Sequence, residues 1–205
     1  MRIYVIRHGI SESNKSMTYS EPETQLAPEA ARQLRSVKKK LKSVPFERIY
    51  ASDYARTLKT AKILGFYNPI LEPRVRERNF GIFTGHTRLE CQEKFPEVYA
   101  HYLADPMGYR IPEGESFDDL CDRVWDFLDE LTEQERKGNP PIEGFRLRPV
   151  YDSQVLIVSH FNVIAACVCW VFGDRSLSPH VVADNGASLL MDVRGSLKTI
   201  FIERC

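Results

Sequence analysis

Three short apolar runs along the chain each end in a cluster of polar residues. The runs and their clusters are residues 2–6 with Arg7-His8-Gly9, residues 48–51 with residues 52–56 (SDYAR), and residues 155–158 with Ser159-His160. Runs of this length, alternating with helical patterns, predict the strands of an α/β domain with a mostly parallel central sheet. In such sheets, ligands bind beyond the carboxyl ends of the strands. We therefore expect the three polar clusters to meet in one crevice.

Helical patterns fill the spaces between these strands. The predicted helices run from Pro28 to about residue 41, from a Ser52-Asp53 cap to residue 64, from a Ser116 cap towards residue 138, and from His160 to about residue 172. Residues 72–110 are predicted to be irregular, with short helical patches near residues 89–95, and residues 139–152 to form a long loop. Two final strands, residues 187–193 and 197–202, are joined by a turn. Without repeats or low-complexity tracts, the pattern predicts a single domain over residues 1–205, a three-layer α/β/α sandwich.

The charge balance excludes several classes of protein. The 28 Lys and Arg residues equal the 28 Asp and Glu residues, so there is no net basic field to attract nucleic acid or an anionic membrane. The longest apolar run, residues 163–172, is too short to span a bilayer, and Arg2 and Arg7 interrupt the N-terminal region where a secretory signal is apolar. The five cysteines include no Cys-x-x-Cys pair and are expected to be core residues. We expect a cytoplasmic protein with no nucleic-acid or membrane partner and no bound metal.

The polar clusters supply two histidines, His8 and His160, and two arginines, Arg7 and Arg56, at the predicted crevice. Guanidinium groups bind phosphoryl oxygens and neutralise their charge. A neutral imidazole attacks phosphorus without first losing a proton and forms a phosphohistidine that water can hydrolyse. The sequence has neither a Gly-rich phosphate loop ending in Lys-Ser/Thr nor an acidic triad at metal spacing. These residues predict phosphoryl transfer at a histidine, with no metal ion or other cofactor.

Five ordered segments resemble the motifs of the histidine phosphatase superfamily, in its phosphoglycerate mutase-like branch. They are residues 7–14 (RHGISESN), 52–61 (SDYARTLKTA), 77–81 (ERNFG), 112–116 (PEGES) and 158–162 (VSHFN). An Arg-His-Gly tripeptide alone is a weak signal, but five motifs spread over nearly the whole chain are specific. Phe161 indicates the branch, because the acid phosphatase branch has an aspartate directly after the second histidine. The resemblance implies a phosphoglycerate mutase-like fold and phosphatase activity.

The resemblance also assigns roles to individual residues. It implies that His8 is the phosphorylated nucleophile and that Arg7, Arg56 and His160 line the phosphate pocket. Glu77 takes the protonation role, in which it donates to the leaving oxygen and then accepts a proton from the attacking water. The alternative for Glu77 is a solvated salt bridge in its charged segment.

Further residues near these motifs are expected to bind the substrate. Ser11 belongs to the first motif, and Asn14 either contacts the phosphate or holds the loop. Arg78, Arg88 and Arg110 either grip a second anionic group or are surface arginines. The expected partner is a small-molecule phosphate ester, and the resemblance allows a homodimer.

Three activities share this set of residues. The first is a metal-independent phosphatase acting on a small phosphate monoester. The second is phosphoglycerate mutase-type transfer, although residues 99–110 lack the adjacent arginine pair that holds a substrate carboxylate in such enzymes. The third is a fructose-2,6-bisphosphatase-like activity, indicated by residues 109–116, where Glu113 stands in place of a basic residue. The alternative from another class is a non-catalytic phospholigand-binding protein.

Overall fold

A sheet with both faces covered forms the centre of the structure. The computed structural model describes residues 1–138, 153–194 and 196–203, so the predicted loop 139–152 and Gly195 of the final turn lie outside the described residues. Within these ranges the strands are β1 (Arg2–Arg7), β2 (Arg48–Ala51), β3 (Ile70–Leu71), β4 (Gln154–Ser159), β5 (Ser188–Arg194) and β6 (Leu197–Glu203), in the order β3-β2-β4-β1-β5-β6. The first four strands in this order are parallel to one another, and β5 pairs antiparallel with both β1 and β6. The predicted mostly parallel sheet is confirmed.

Helices of very different lengths connect the strands. The α-helices are α1 (Glu12–Ser16), α2 (Ala30–Gln33), α3 (Arg35–Leu41), α4 (Ala55–Leu64), α5 (Arg88–Lys94), α6 (Pro96–Ala104), α7 (Phe117–Gly138) and α8 (Phe161–Phe172). Short 3-10 helices lie at Pro73–Val75, Gly81–Phe83 and Arg175–His180. No helix in the described part of the chain combines the length and the apolar character needed to cross a membrane.

Helices pack on both faces of the sheet because its side chains alternate between two apolar clusters. In β1, Val5 packs with α7 and α8, whereas Ile6 packs with α3 and α4. In β4, Ile157 and Val158 divide in the same way. All four side chains are at most 1% exposed. A sheet with two covered faces is the three-layer α/β/α sandwich that the sequence predicts.

The carboxyl ends of β1, β2 and β4 lie at the same edge of the sheet. Arg7 pairs with Ser159 between β1 and β4, and Ala51 pairs with Val158 between β2 and β4. The polar clusters that follow the three strands are therefore neighbours in space.

The segment before α7 is more regular than the sequence predicts. α5 confirms the short helical patch predicted near residues 89–95, whereas α6 and two 3-10 helices replace irregular structure expected elsewhere in residues 72–110. Phe83 is fully buried, and its ring packs against those of Phe95, Tyr99 and Tyr102. The prediction was wrong here because charged residues interrupt the apolar spacing along the chain, whereas the aromatic contacts join residues from separate segments.

Two predicted helix starts also differ from the structure. The helix expected from Pro28 onwards is divided into α2 and α3 by a turn at Leu34. In α4 the N-cap is Tyr54, which makes no side-chain cap hydrogen bond. The expected Ser52-Asp53 cap was wrong because Ser52 Oγ contacts His160 and accepts the N–H of Tyr54, which precedes the helix, whereas Asp53 binds Arg76.

The Ser116 cap of α7 is confirmed. Ser116 Oγ accepts the backbone N–H of Asp119 at 3.1 Å, and Asp119 Oδ2 accepts the backbone N–H of Ser116 at 2.7 Å. This reciprocal pair satisfies N–H groups that the first turn of a helix leaves without a partner.

Gly81 fixes the turn that follows the ERNF segment. Its φ of +50° lies in the left-handed region, and a Cβ at this position would lie 2.0 Å from the carbonyl oxygen of Pro112. Gly65 also has a positive φ, of +106°, but no other atom would lie within 4 Å of a Cβ there. Close backbone contact, in addition to the dihedral angle, therefore requires glycine at position 81.

We expect Gly81→Ala to destabilise the protein more than Gly65→Ala. The left-handed conformation alone should cost about 1–2 kcal/mol in Gly65→Ala. Gly81→Ala adds overpacking against Pro112, which typically costs a further 1–3 kcal/mol or so. Urea unfolding measures both free energies of unfolding, and equal losses in the two variants would show that the contact with Pro112 relaxes without cost.

Candidate active site

His8 follows β1 and presents a defined tautomer. Its Nδ1 lies 2.7 Å from the carbonyl oxygen of Gly9. Because a carbonyl oxygen only accepts, Nδ1 carries the ring proton and Nε2 keeps its lone pair. Arg56 Nε donates to this Nε2 atom at 3.3 Å. The imidazole thus has an available nucleophilic nitrogen held against a guanidinium group.

His8 is held in its neutral form. Its side chain is 3% exposed. Burial lowers the pKa of His8 well below the usual 6.5, and the charge of Arg56 lowers it further. A buried imidazole next to a cation remains uncharged because protonation would place a second unpaired charge in a region that water does not reach.

His160 follows β4 and faces His8. The centroids of the two rings are 5.3 Å apart, and burial, followed by the charge of Arg56, lowers the pKa of His160 well below 6.5. His160 Nε2 lies 2.9 Å from Ser52 Oγ, whereas Nδ1 is buried without a partner. When the Ser52 hydroxyl donates to Nε2, the ring proton resides on Nδ1, which then is a free donor.

Arg7 and Arg56 bring two guanidinium groups to the same place. Arg7 Nη1 donates to the carbonyl oxygen of Ala183 at 2.6 Å, and Arg7 Nε is buried without a partner. Arg56 is 1% exposed, and its Nη1 donates to the carbonyl oxygen of Glu21 at 2.9 Å. Buried donors without partners are rare in folded proteins and often mark the place of an ion. With His160 Nδ1, they form a cradle for an anion next to His8 Nε2.

Glu77 is carried beside this cradle by a segment that is fixed at both ends. Ser159 Oγ donates to the carbonyl oxygen of Val75 at 2.7 Å. Arg123, which lies on α7, donates to the carbonyl oxygen of Glu77 at 3.0 Å. Glu77 Oε1 accepts the backbone N–H of Arg78 at 2.9 Å. The carboxylate is half-buried and forms no ion pair within the described part of the chain, so the structure does not give it the salt bridge considered as its alternative role.

Ser11 and Asn14 hold the loop after His8. Asn14 Oδ1 accepts from the Ser11 backbone N–H at 3.1 Å, from Ser11 Oγ at 2.8 Å and from Asn185 Nδ2 at 2.9 Å. Asn185 Nδ2 also donates to the carbonyl oxygen of His8 at 3.2 Å. These contacts correspond to the loop-holding alternative for Asn14, and Ser11 is fully buried in the same network.

The three arginines considered for a second anionic group lie in different surroundings. Arg78 is buried, and its three guanidinium nitrogens donate to backbone carbonyl oxygens. Arg110 pairs with Asp119. Arg88 is exposed in the first turn of α5, and neither Arg88 nor Arg110 lines the cleft beside His8. The structure therefore supports the surface alternative for Arg88 and Arg110 and makes Arg78 a structural residue.

A cleft of about 440 Å³ opens next to the cradle. It is lined by Ser20, Pro22, Tyr54, Pro73, Arg74, Arg76, Glu77, Arg78, Asn79, Phe80, Thr84, Glu115 and Arg123. The ring of Tyr54 joins the cleft to the cradle, because it lies 5.2 Å from the His160 ring and 5.0 Å from Arg56 Cζ. Among the described residues, no three His, Cys, Asp or Glu side chains gather into a group that could hold a metal ion.

Four residues shape this site in ways that the sequence did not indicate. Ser52 and Tyr54 belong to the polar cluster after β2 that was expected at the crevice, but no role in the site was assigned to either side chain. Arg123 and Asn185 gave no local signal. Arg123 binds carbonyl oxygens 46 or more residues away, Asn185 binds the His8 carbonyl oxygen 177 residues away, and only the folded chain brings these groups together.

Comparison with known proteins identifies related sequences and one shared fold. A family model described as histidine phosphatase superfamily (branch 1) matches residues 3–197. A protein of Photorhabdus laumondii named "Probable phosphoglycerate mutase GpmB" is 29% identical over 177 residues, which are 84% of this chain and 75% of that protein. "Putative phosphoserine phosphatase 2" of Hydrogenobacter thermophilus is 26% identical over 177 residues, 84% of this chain and 79% of its own. The crystal structure of the alpha-ribazole phosphatase from Shigella flexneri has a TM-score of 0.85 at 23% identity, covers 100% of this chain and 96% of its own, and shares the fold.

We expect the stability of the protein to fall as the pH decreases from about 7.5 to 5.5. Histidines in an unfolded chain titrate near 6.5, whereas burial keeps the pKa of His8 and His160 well below that value in the folded protein. The unfolded state therefore binds more protons as the pH falls through 6.5, and each histidine should remove about 1.4 kcal/mol of stability in total between pH 7.5 and 5.5. Urea unfolding across this range, in phosphate-free buffer, measures the slope.

Two variants separate this effect from other titrations. His160→Gln should have a shallower slope than the wild type, whereas the change of an exposed histidine in His180→Gln should leave the slope unchanged. An identical slope in His160→Gln and the wild type would contradict the prediction.

Proposed function

This chain belongs to the histidine phosphatase superfamily, and we propose that it hydrolyses a small phosphate monoester through a phosphohistidine formed on His8, without a metal ion. The observation that carries the proposal is the cradle. His8 Nε2 accepts from Arg56 Nε, the His8 and His160 rings lie 5.3 Å apart, and Arg7 Nε and His160 Nδ1 are buried without a partner.

The first step transfers the phosphoryl group to the protein. His8 Nε2 attacks phosphorus, the N–P bond forms and the P–O bond to the alcohol breaks. Arg7, Arg56 and His160 Nδ1–H neutralise the charge on the phosphoryl oxygens. Glu77 in its acid form donates a proton to the departing oxygen, so a neutral alcohol leaves.

The second step releases phosphate. The Glu77 carboxylate takes a proton from water as the water oxygen attacks phosphorus, and the N–P bond breaks. The electron pair returns to Nε2, and inorganic phosphate leaves with His8 neutral again. The burial that lowers the pKa of His8 supports this cycle, because the imidazole is ready to attack at neutral pH.

Two alternative transfers use the same groups. Phosphoglycerate mutase-type transfer would return the phosphoryl group to another hydroxyl, and fructose-2,6-bisphosphatase-like activity would act on a doubly phosphorylated sugar. Both need cations for a second anionic group, and the engaged guanidinium groups of Arg78 and Arg110 favour the simple monoester.

The cysteines support a cytoplasmic location. Cys91, Cys121, Cys167 and Cys169 are all free and buried. Burial raises the pKa of the Cys121 thiol to about 12 and that of Cys169 to about 11. Unpaired thiols of this kind suit a reducing compartment.

We expect His8→Ala to lower the release of inorganic phosphate from p-nitrophenyl phosphate by at least about 1,000-fold. The assay contains a chelator, so that metal-dependent contaminants are silent. The wild type should also form an acid-labile, alkali-stable phosphoprotein that His8→Ala lacks. His180→Ala, in which an exposed histidine is removed, is the matched control. Near-normal turnover by a folded His8→Ala protein would remove His8 as the nucleophile.

We expect the effect of Glu77→Gln to depend on the leaving group. Glycerol 3-phosphate has a poor leaving group and should lose about 100-fold or more in kcat, because its oxygen needs a proton to depart. p-Nitrophenyl phosphate has an activated leaving group and should lose less than about 10-fold in the step that forms the phosphohistidine. Burst kinetics isolate that step, and Glu97→Gln, an exposed glutamate on α6, is the control. Equal losses on both esters would contradict the acid role.

A further inference from the structure

We propose that the cleft selects phosphate monoesters whose alcohol part carries no negative charge, and that Asp53 enforces this selection by occupying Arg76. The proposal rests on the function proposed above, because it concerns the alcohol part of an ester whose phosphate lies in the cradle.

The cleft begins where the alcohol part must leave the cradle. Tyr54 contacts both the His160 ring and Arg56, and it also lines the cleft. Glu77 also belongs to both places, because it lines the cleft and its carboxylate lies near Arg7 and Arg56 of the cradle. Burial lowers the pKa of these two arginines, and the negative charge of Glu77 opposes that change. An ester bound at His8 therefore directs its alcohol part along Tyr54 and Glu77 into the cleft.

The outer guanidinium groups of this cleft are held by carboxylates. Arg74 donates to both oxygens of Glu72 at 2.9 Å and to Glu130 at 2.7 Å. Arg76 binds both oxygens of Asp53, and the Nε to Oδ1 distance is 2.7 Å. These hydrogen bonds from Arg76 lower the pKa of Asp53, so the pair is charged at neutral pH.

The inner guanidinium groups are held by the backbone and by Glu115. Arg123 donates to both oxygens of Glu115 at 2.9 Å and to three carbonyl oxygens of residues 74–77. Arg78 donates to three further carbonyl oxygens. Neither arginine can turn towards a substrate without breaking several charge-assisted hydrogen bonds.

Charge therefore disfavours a second anionic group in the cleft. The four lining arginines are accompanied by five carboxylates, those of Asp53, Glu72, Glu77, Glu115 and Glu130. A carboxylate or second phosphate on the substrate would lose its hydration on entering the cleft and would be repelled by the Glu77 carboxylate. The guanidinium groups there already donate to carboxylates or carbonyl oxygens, so they would not compensate for this cost. If it displaced Asp53 from Arg76, the Asp53 carboxylate would remain unpaired beside it.

A neutral alcohol part meets a more favourable surface. The rings of Tyr54 and Phe80 and the prolines Pro22 and Pro73 provide apolar contact, and Ser20 and Thr84 provide hydroxyl groups. This mixture suits a carbon skeleton with neutral polar substituents. The cleft volume of about 440 Å³ accommodates an alcohol considerably larger than glycerol.

The test compares two esters that differ only in charge. Glycerol 3-phosphate has a CH2OH group where 3-phosphoglycerate has a carboxylate. We expect the wild type to favour glycerol 3-phosphate by at least about 10-fold in kcat/KM at fixed ionic strength. Equal or higher kcat/KM for 3-phosphoglycerate would overturn the proposal.

Asp53→Asn tests the specificity role of Asp53. It releases Arg76 towards the cleft and should reduce the preference for glycerol 3-phosphate by about 5-fold or more. Asp122→Asn breaks another surface pair, with Arg175, and should leave the preference unchanged. Arg76→Gln removes the cation and should retain the preference. Thermal unfolding confirms that each variant is folded, and an unchanged preference in folded Asp53→Asn would remove its role.

A binding measurement separates this inference from the proposed hydrolysis. Calorimetry with His8→Ala gives the Kd of each ester without turnover. If neither ester is hydrolysed but glycerol 3-phosphate binds more tightly, the proposed hydrolysis fails and the charge selection stands. If 3-phosphoglycerate binds equally well or better, or if neither ester binds, the charge selection fails.

Discussion

The parallel pairing of β1 with β4 places Arg7 opposite Ser159, and the relative positions of Arg7, His8 and His160 in the cradle depend on this register. Side chains in a strand alternate between faces, so a shift by one residue would turn His8 and His160 away from each other. The register is fixed because both strands are buried on both faces, where apolar side chains fit only one alignment. The core of the sandwich thus determines the 5.3 Å separation of the two histidine rings.

The cradle holds buried positive charge that the nearby Glu77 carboxylate offsets only in part. Burial lowers the pKa of both Arg7 and Arg56, and Arg7 Nε and His160 Nδ1 have no protein partner. Such an arrangement reduces the stability of the empty protein and favours an anion that satisfies these donors. The same groups therefore connect folding, anion binding and the neutral state of His8.

The parts of the structure that could be predicted from the sequence are those with local signals. The strands, the α/β/α layers and the Ser116 cap follow from the spacing of apolar and capping residues, and strand ends correctly indicated that His8 and His160 would meet. Contacts between distant segments could not be predicted. The carbonyl partners of Arg78 and the clamp made by Arg123 depend on how the segment before α7 folds back on the sheet. Ser52 illustrates the limit, because a serine after a strand is equally suited to cap a helix or to orient a histidine.

The reacting groups and the cleft wall are carried by different parts of the chain. His8 and His160 stand at strand ends, whereas the wall is formed largely by the segment that α7 clamps through Arg123. Substitutions in that segment can change which alcohol fits while the register of the sheet, and with it the chemistry, stays the same. In a fold divided in this way, the choice of substrate can change while the catalytic groups keep their positions.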